Sequence, residues 1–405
     1  MASSITKTET LEKEESIIAS WSGGKTNLAQ LGRQIRKLRH LAVDEEGYPL
    51  ARASVMNLII YAEGEKQIET ANMAIEEMAL THPSRTILIT PEKGEEFALD
   101  AAVELHRHPL ASHGLVFERI RLKPKGVNSG ELDTLVIPLL IPHLYSFLLW
   151  LGDPNPKNAA LKNLLSISDR LVIDSSLGSI ENLVELSSII LAGKGEPKTG
   201  SSTQVLSAMI GDIAWIRAEG LRTTLARVFD EPKYGKFLDG IEKIEIFSAR
   251  EQDEDIGPVE LLFAGWIVSR LGYSKARKSS GGVSVERGLR RQELKLKFVP
   301  SGRNSPLDRR AQLLPSLKGF RLFSAYENEK MYINFEMTSR ECRLEVQALG
   351  EELSVKTFRL RALSEAETLG AELGQFGRNR VYEDSLLSAA RMALALKSSY
   401  GKLER

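Results

Sequence analysis

Residues 53–90, ASVMNLIIYAEGEKQIETANMAIEEMALTHPSRTILIT, decide the fold class. Positions 55–62 are almost all apolar, the pattern of a strand buried on both faces of a parallel sheet, not the alternation of a half-exposed one. Gly64 ends the run. Ile68, Ala71, Ile75, Met78 and Ala79 then recur at helical spacing, with Lys66, Glu69, Glu76 and Glu77 on the opposite side. His82-Pro83 stops the helix before a second apolar run at 86–90, because the residue before a proline disfavours the helical region. The reading is one βαβ unit with a right-handed crossover.

The α/β pattern continues downstream. Residues 96–104 read as a helix, 115–122 and 145–151 as strands, 159–165 as a helix, and 170–174 as a strand running into Asp174-Ser175. In an open parallel sheet ligands meet the carboxyl ends of the strands. Those ends carry Glu63, Thr90, Trp150, Asp153, Asp174 and Ser175. A crevice with two carboxylates suits acid–base work on a sugar phosphate or nucleotide, whereas the plainer role of a strand-end Asp is to cap the turn that follows. His82-Pro83-Ser84-Arg85 precedes its strand at the other end; it reads as a helix stop or an exposed binding corner. A helix carrying Ile180, Leu183, Val184, Ile190 and Leu191 closes at Gly193. Gly193-Lys194-Gly195 therefore ends a helix, whereas a dinucleotide loop opens one, and the loop GKGEPKTGSS marks a boundary.

Upstream, residues 8–40 read as two helices, the first anchored by Leu11, Ile17, Ile18 and Trp21 and the second by Leu28, Leu31, Ile35 and Leu38. Between them Ser22-Gly23-Gly24-Lys25-Thr26 invites a phosphate-loop reading, which fails because Ala19 stands where the first glycine belongs and no strand pattern precedes it. Residues 203–230 read as two helices broken near Gly220, with Val205, Leu206, Met209, Ile210 and Ile213 on one side. Asp212, Trp215, Arg217, Arg222 and Arg227 are left over, as in a bridge between domains. Beyond Pro232 the period changes to two: Ile244 and Ile246; Leu294, Leu296 and Phe298; Ile333, Phe335 and Met337; Cys342, Leu344 and Val346. Such alternation describes an antiparallel sheet with one covered face, and the almost wholly apolar helix at 258–271 is its expected cover. A basic loop with Lys275, Arg277, Lys278, Arg287, Arg290 and Arg291 reads as a solvated hairpin, an acidic-partner or phosphate site, or a nucleic-acid contact. Helices at 364–375 and 382–397 finish the chain.

The expected fold is α/β plus α+β: a helical arm over 1–50, a doubly wound, mainly parallel domain over 51–200, bridging helices over 201–235, and over 236–405 an antiparallel sheet covered by helices. In 405 residues the 54 basic and 54 acidic side chains cancel, so no overall field draws nucleic acid or an anionic membrane. The N-terminal residues lack an apolar signal core, and the apolar stretch 135–151 is short and holds two prolines, so the expectation is a cytoplasmic protein that does not span a membrane. Cys342 is the one cysteine, which leaves no internal disulfide and no cysteine zinc site. His106, His108 and His113 form a weak metal cluster, and no metal or cofactor is expected. No GxSxG, Walker A or HExxH motif occurs.

Several fragments together resemble one family. In order, they are His82-Pro83-Ser84-Arg85 before a strand; Glu118-Arg119; Pro138-Leu139-Leu140-Ile141-Pro142 leading to Phe147-Leu148-Leu149-Trp150; Asp169-Arg170-Leu171-Val172-Ile173-Asp174-Ser175; Gly211-Asp212 with Trp215 and Arg217; and Gly265-Trp266 with Ser269-Arg270-Leu271-Gly272. They resemble the glucose-6-phosphate dehydrogenase assembly protein OpcA family, clearly over residues 52–273 and more loosely beyond. The resemblance implies a non-catalytic partner that promotes assembly of glucose-6-phosphate dehydrogenase and raises its apparent affinity for glucose 6-phosphate. Trp215, Arg217, Arg222, Asp212, His82 and Arg85 are the expected partner contacts, since interface hot spots favour Trp and Arg. Ile213 and Ala214 before Trp215, and Leu221 where the family tends to a second Trp, depart from the pattern. In photosynthetic members activation is linked to thioredoxin and cysteines; with Cys342 alone, an intramolecular redox switch is not available.

Overall fold

A computed structural model describes residues 16–41, 54–78, 82–107, 116–194, 209–251, 254–288, 292–301, 316–338, 341–348, 352–361 and 363–397. The chain forms two compact units that divide between Ser146 and Phe147. The first runs through β1 (Ser16–Gly23), α1 (Leu28–Leu41), β2 (Met56–Ala62), α2 (Glu65–Met78), β3 (Ser84–Ile89), β4 (Ala98–Arg107), β5 (Val116–Lys125) and the short α3 (Leu132–Val136). Its strands lie in the order β1-β4-β5-β3-β2. The βαβ reading holds. β2 and β3 pair in parallel, from Met56↔Ser84 to Tyr61↔Ile89, and all seven residues of β2 are buried, as its continuous apolar run requires.

Two expectations are corrected at the edge of this unit. Residues 16–23 form a strand where a helix was read, and residues 8–15 lie outside the described residues. Ile17, Ile18 and Trp21 satisfy either period, but β-branched and aromatic side chains suit a pleated surface, and β4 offers an antiparallel partner from Ser16↔Arg107 to Gly23↔Ala101. Residues 98–107 form β4, again where a helix was read. Leu99, Ala101, Val103 and Leu105 alternate into the core, and pairing with β5 from Ala98↔Lys125 to Arg107↔Val116 overrides the helix preference of Ala, Glu and Leu. The turn at Lys25 therefore joins a strand to α1. Lys25 holds a positive φ of 47° and donates its N–H to Asp100 Oδ1 at 2.8 Å. A carboxylate on that N–H repels phosphate.

Asn57 on β2, 1% exposed, fixes the proline-flanked run that follows α3. Its Oδ1 accepts from Ile141 N at 2.8 Å and its Nδ2 donates to Ile141 O at 3.1 Å.

The second unit takes β6 (Tyr145–Leu151) from Phe147, then α4 (Ala159–Leu165), β7 (Arg170–Ile173), α5 (Ile180–Lys194) and β8 (Met209–Asp212). These three strands pair in parallel, β7 with β8 from Arg170↔Met209 to Ile173↔Asp212. Met209 and Ile210 were expected on a helix; they belong to this strand, and Val205 and Leu206 lie outside the described residues. The helical reading resumes at α6 (Ile213–Arg217) and α7 (Glu219–Asp230), followed by α8 (Pro232–Gly235). On α5, Leu183, Leu186 and Ile190 are buried, whereas Leu191 is exposed.

The same unit holds an eight-stranded sheet and its cover. The elements are β9 (Ile241–Ser248), α9 (Pro258–Arg270), β10 (Lys275–Ser279), β11 (Gly282–Arg287), β12 (Gln292–Pro300), β13 (Leu317–Tyr326), β14 (Glu329–Met337), β15 (Cys342–Ala348), β16 (Ser354–Phe358), α10 (Glu365–Leu373) and α11 (Arg380–Lys397). The strand order is β10-β11-β12-β9-β13-β14-β15-β16, antiparallel except between β12 and β9. The sheet is thus mixed at its centre. The basic stretch at 275–287 is the β10–β11 hairpin, with Arg290 and Arg291 outside the described residues. Cys342 is buried on β15 at an alternating position, and burial pushes its thiol pKa up.

Helix α9 covers this sheet as its composition requires, because a helix apolar on all sides must be buried on all sides. Phe263 on α9 packs 5.5 Å from Phe320 on β13, which stacks on Phe335 of β14 at 5.4 Å. On another side α9 meets α11 so closely that a Cβ at Gly265 would stand 2.3 Å from Ser385 O and 2.9 Å from Ala389 N. Both neighbours are backbone and cannot step aside. Gly265→Ala is accordingly expected to cost about 1–3 kcal/mol of stability, read as a lower urea midpoint. An unchanged midpoint would show that the two helices separate freely.

Candidate functional site: a braced corner at the strand ends

The carboxyl ends of β7 and β8 place two aspartates side by side, and the backbone that follows determines what each does. Asp174 ends β7 and caps a single 3-10 turn, Ser175–Leu177, accepting from Ser176 N at 3.0 Å and Ser176 Oγ at 2.5 Å. Its other oxygen accepts from Arg217 Nη1 at 2.5 Å. Asp212 ends β8 and is the N-cap of α6, with Oδ1 accepting from Ala214 N at 2.9 Å and from Ser175 N at 3.1 Å. Its Oδ2 accepts from the hydroxyl of Tyr382 on α11 at 3.3 Å. Asp212 is 1% exposed. Burial, and then the charge of Asp174, push its pKa up to about 7, against the lowering effect of its hydrogen bonds.

Trp215 and Arg222 lock the next layer. The Arg222 guanidinium lies 3.4 Å from the Trp215 ring centroid, and its Nη1 donates to Trp215 O at 2.7 Å. The Tyr382 ring meets Trp215 edge-on at 5.5 Å and 62°. Trp215 and Arg222 are 5% and 9% exposed, and burial lowers the Arg222 pKa to about 10, which still leaves it charged at neutral pH. Beneath this layer Gly211 and Arg170 receive α10. Arg170 is fully buried; its Nε donates to Glu372 Oε1 at 3.0 Å, its Nη2 donates to the same oxygen, and its Nη1 donates to Gly377 O at 2.8 Å. A Cβ at Gly211 would stand 1.8 Å from Glu372 Oε1. Only glycine admits that carboxylate.

Of the other sequence-selected positions, Trp150 donates Nε1 to Asp153 O at 2.9 Å, and the Asp153 carboxylate accepts from Asn182 on α5. The Asp153 and Asp174 carboxylates are thus both engaged by their own structural neighbours. A cleft of about 440 Å³ lies elsewhere, on the eight-stranded sheet beside Phe323, Tyr332 and Gln347. His82 and Arg85 belong to the first unit. Arg85 donates to Glu118 at 2.9 Å through Nε and to Leu139 O at 2.8 Å, and Glu118 also accepts from Arg39 at 2.6 Å. His82 is half-buried, and burial lowers its pKa. Tyr382, Glu372 and the buried Ser175 complete the corner; neither Tyr382 nor Glu372 stands out in the sequence. Among the described residues no three His, Cys, Asp or Glu side chains are grouped to hold a metal; His106 is buried on β4 beside Glu104, and His108 and His113 lie outside the described residues. No helix among the described residues is long and apolar enough to cross a membrane.

The family comparison matches across both units. Residues 75–188 match the family model described as the glucose-6-phosphate dehydrogenase subunit N-terminal domain, and residues 208–386 match the one described as its C-terminal domain. The chain belongs to the OpcA family. The OpcA match takes in the whole braced corner, from Arg170 and Asp174 through Gly211, Asp212 and Trp215 to Glu372 and Tyr382. A putative OxPP cycle protein OpcA from Nostoc punctiforme is 26% identical over 52% of this chain and 43% of its own length. The protein of the same name from Synechocystis is 21% identical over 76% of this chain and 63% of its own length. The matched regions therefore cover less than two thirds of either relative.

Proposed function

We propose that this protein is a non-catalytic partner of glucose-6-phosphate dehydrogenase in the oxidative pentose phosphate cycle, assembling and allosterically activating the enzyme by binding its active form better than its inactive one. The observation that carries the reading is the pair of OpcA domain matches, 75–188 and 208–386, which together span most of the chain. The strand-end geometry supports it. The carboxylates that an enzyme of this fold would use cap turns and hold Arg217 and Asn182. A partner of this kind needs no reacting groups. It needs a rigid surface, and a differential affinity of about 1–3 kcal/mol shifts the enzyme's apparent affinity by roughly 5- to 150-fold.

Asp212, Trp215 and Arg222 are buried, so their part in docking is to hold the surrounding surface in shape, while Arg217, His82 and Arg85 keep some exposure for contact. The test is the saturation curve of the cognate dehydrogenase for glucose 6-phosphate with and without this protein, together with co-elution from a sizing column. Half-saturation at lower substrate and a joint peak are expected. A curve that stays in place and two separate peaks would sink the reading.

A further inference from the structure

Helix α1, LAQLGRQIRKLRHL, carries Arg33, Arg36, Lys37 and Arg39 and no acidic residue, in a chain whose charges cancel overall. Leu31, Ile35 and Leu38 are buried and fix which side faces the core. Arg39, the arginine nearest that side, joins Arg85 on the buried Glu118 carboxylate. Arg33, Arg36 and Lys37, with His40, point the other way and are exposed. At 100° per residue they fall on one strip about 100° wide. Among the described residues no carboxylate pairs with Arg33, Arg36 or Lys37. Within the strip Arg33 is three residues from Arg36 and four from Lys37, spacings at which like charges repel.

We infer that this strip of α1 is a docking surface for an acidic patch on a protein partner, which, on the reading given above, is the dehydrogenase. An anionic membrane is the poorer fit, because a surface-lying helix must bury its apolar face in the headgroup region, and here that face is committed to the core. Nucleic acid is poorer too: the helix has no Phe, Tyr or Trp on which a base could stack. An acidic protein surface asks only for what the strip has, several exposed cations on one helix that no carboxylate among the described residues engages. Such contacts act mainly on association rate and weaken with salt.

The experiment measures binding of the full chain to the purified dehydrogenase at low and moderate salt, for wild type and for the triple variant Arg33→Glu/Arg36→Glu/Lys37→Glu, whose exposed positions leave the core untouched. Wild type is expected to bind more weakly as salt rises, and the variant to bind roughly tenfold or more weakly at low salt with a flat salt response. The neutral triple Arg33→Gln/Arg36→Gln/Lys37→Gln should fall between them. Variants that bind like wild type would overturn the inference and leave the functional reading standing. A wild type that ignores the dehydrogenase would overturn both. Wild type binding phosphatidylserine vesicles or single-stranded DNA as tightly as the enzyme, with the same loss in the variant, would assign the strip to that partner instead.

Discussion

Replacing Arg170 by Met is expected to lower the unfolding free energy by about 3–5 kcal/mol, because it strands a carboxylate in the interior. Arg170 and Glu372 are 0% and 1% exposed, so neither charge has water to turn to. The guanidinium also supplies the donor to Gly377 O at 2.8 Å, just past α10. Its removal thus frees both a buried anion and a backbone carbonyl. Burial already raises the Glu372 pKa, with the Arg170 charge as the main opposing influence, so the orphaned carboxyl should take up a proton. The pair itself is a different quantity. A matched replacement, Arg170→Met with Glu372→Leu, removes both charges and should recover most of the loss, since buried pairs barely repay their desolvation. Urea unfolding at neutral pH distinguishes the cases. A double variant no more stable than the single one would mean that the damage comes from packing, with the stranded charge a minor part.

What the sequence disclosed depended on how local the cause was. The buried run of β2, the almost wholly apolar α9 and the alternation of β12, β14 and β15 are properties of short windows, and each appears where its period places it. Asp174 acts on the residues next to it, so its capping role was among the readings open from the start. β4 shows a signal outweighed: Leu99, Ala101, Val103 and Leu105 alternate, but Ala and Glu around them favour a helix, and only the neighbouring strands settle the competition. The corner was legible in part. Asp212, Trp215, Arg217, Arg222 and Arg227 stand out in the sequence as a leftover mixture of anchor and charge. That Asp212 and Trp215 are internal follows from Tyr382, 170 residues from Asp212, and no periodicity connects positions so distant.

Asp212→Asn should flatten part of the protein's stability against pH. In the folded chain the Asp212 carboxyl titrates near 7, whereas unfolded it returns to about 3.8. Between those values the folded state holds a proton that the unfolded state has released, so stability falls as pH rises. The contribution is fully present below the unfolded value and lost as pH passes through 7, on the order of 4 kcal/mol in all. The groups facing Asp212 set this balance. Asp174 adds an unfavourable charge, Ser175 and Ala214 donate N–H groups, and Tyr382 donates its hydroxyl. Asparagine keeps the carbonyl oxygen that caps α6 and can face Tyr382 with its amide, whose hydroxyl then accepts; it has no proton to lose. The variant should therefore stand near or below wild type at pH 5 and gain on it steadily to pH 8. Glu260, also buried with a raised pKa, shifts wild-type stability in the same sense, so only the difference between variant and wild type isolates Asp212. A difference that is constant from pH 5 to 8 would mean that Asp212 is already ionised at pH 5, and that its hydrogen bonds outweigh its burial.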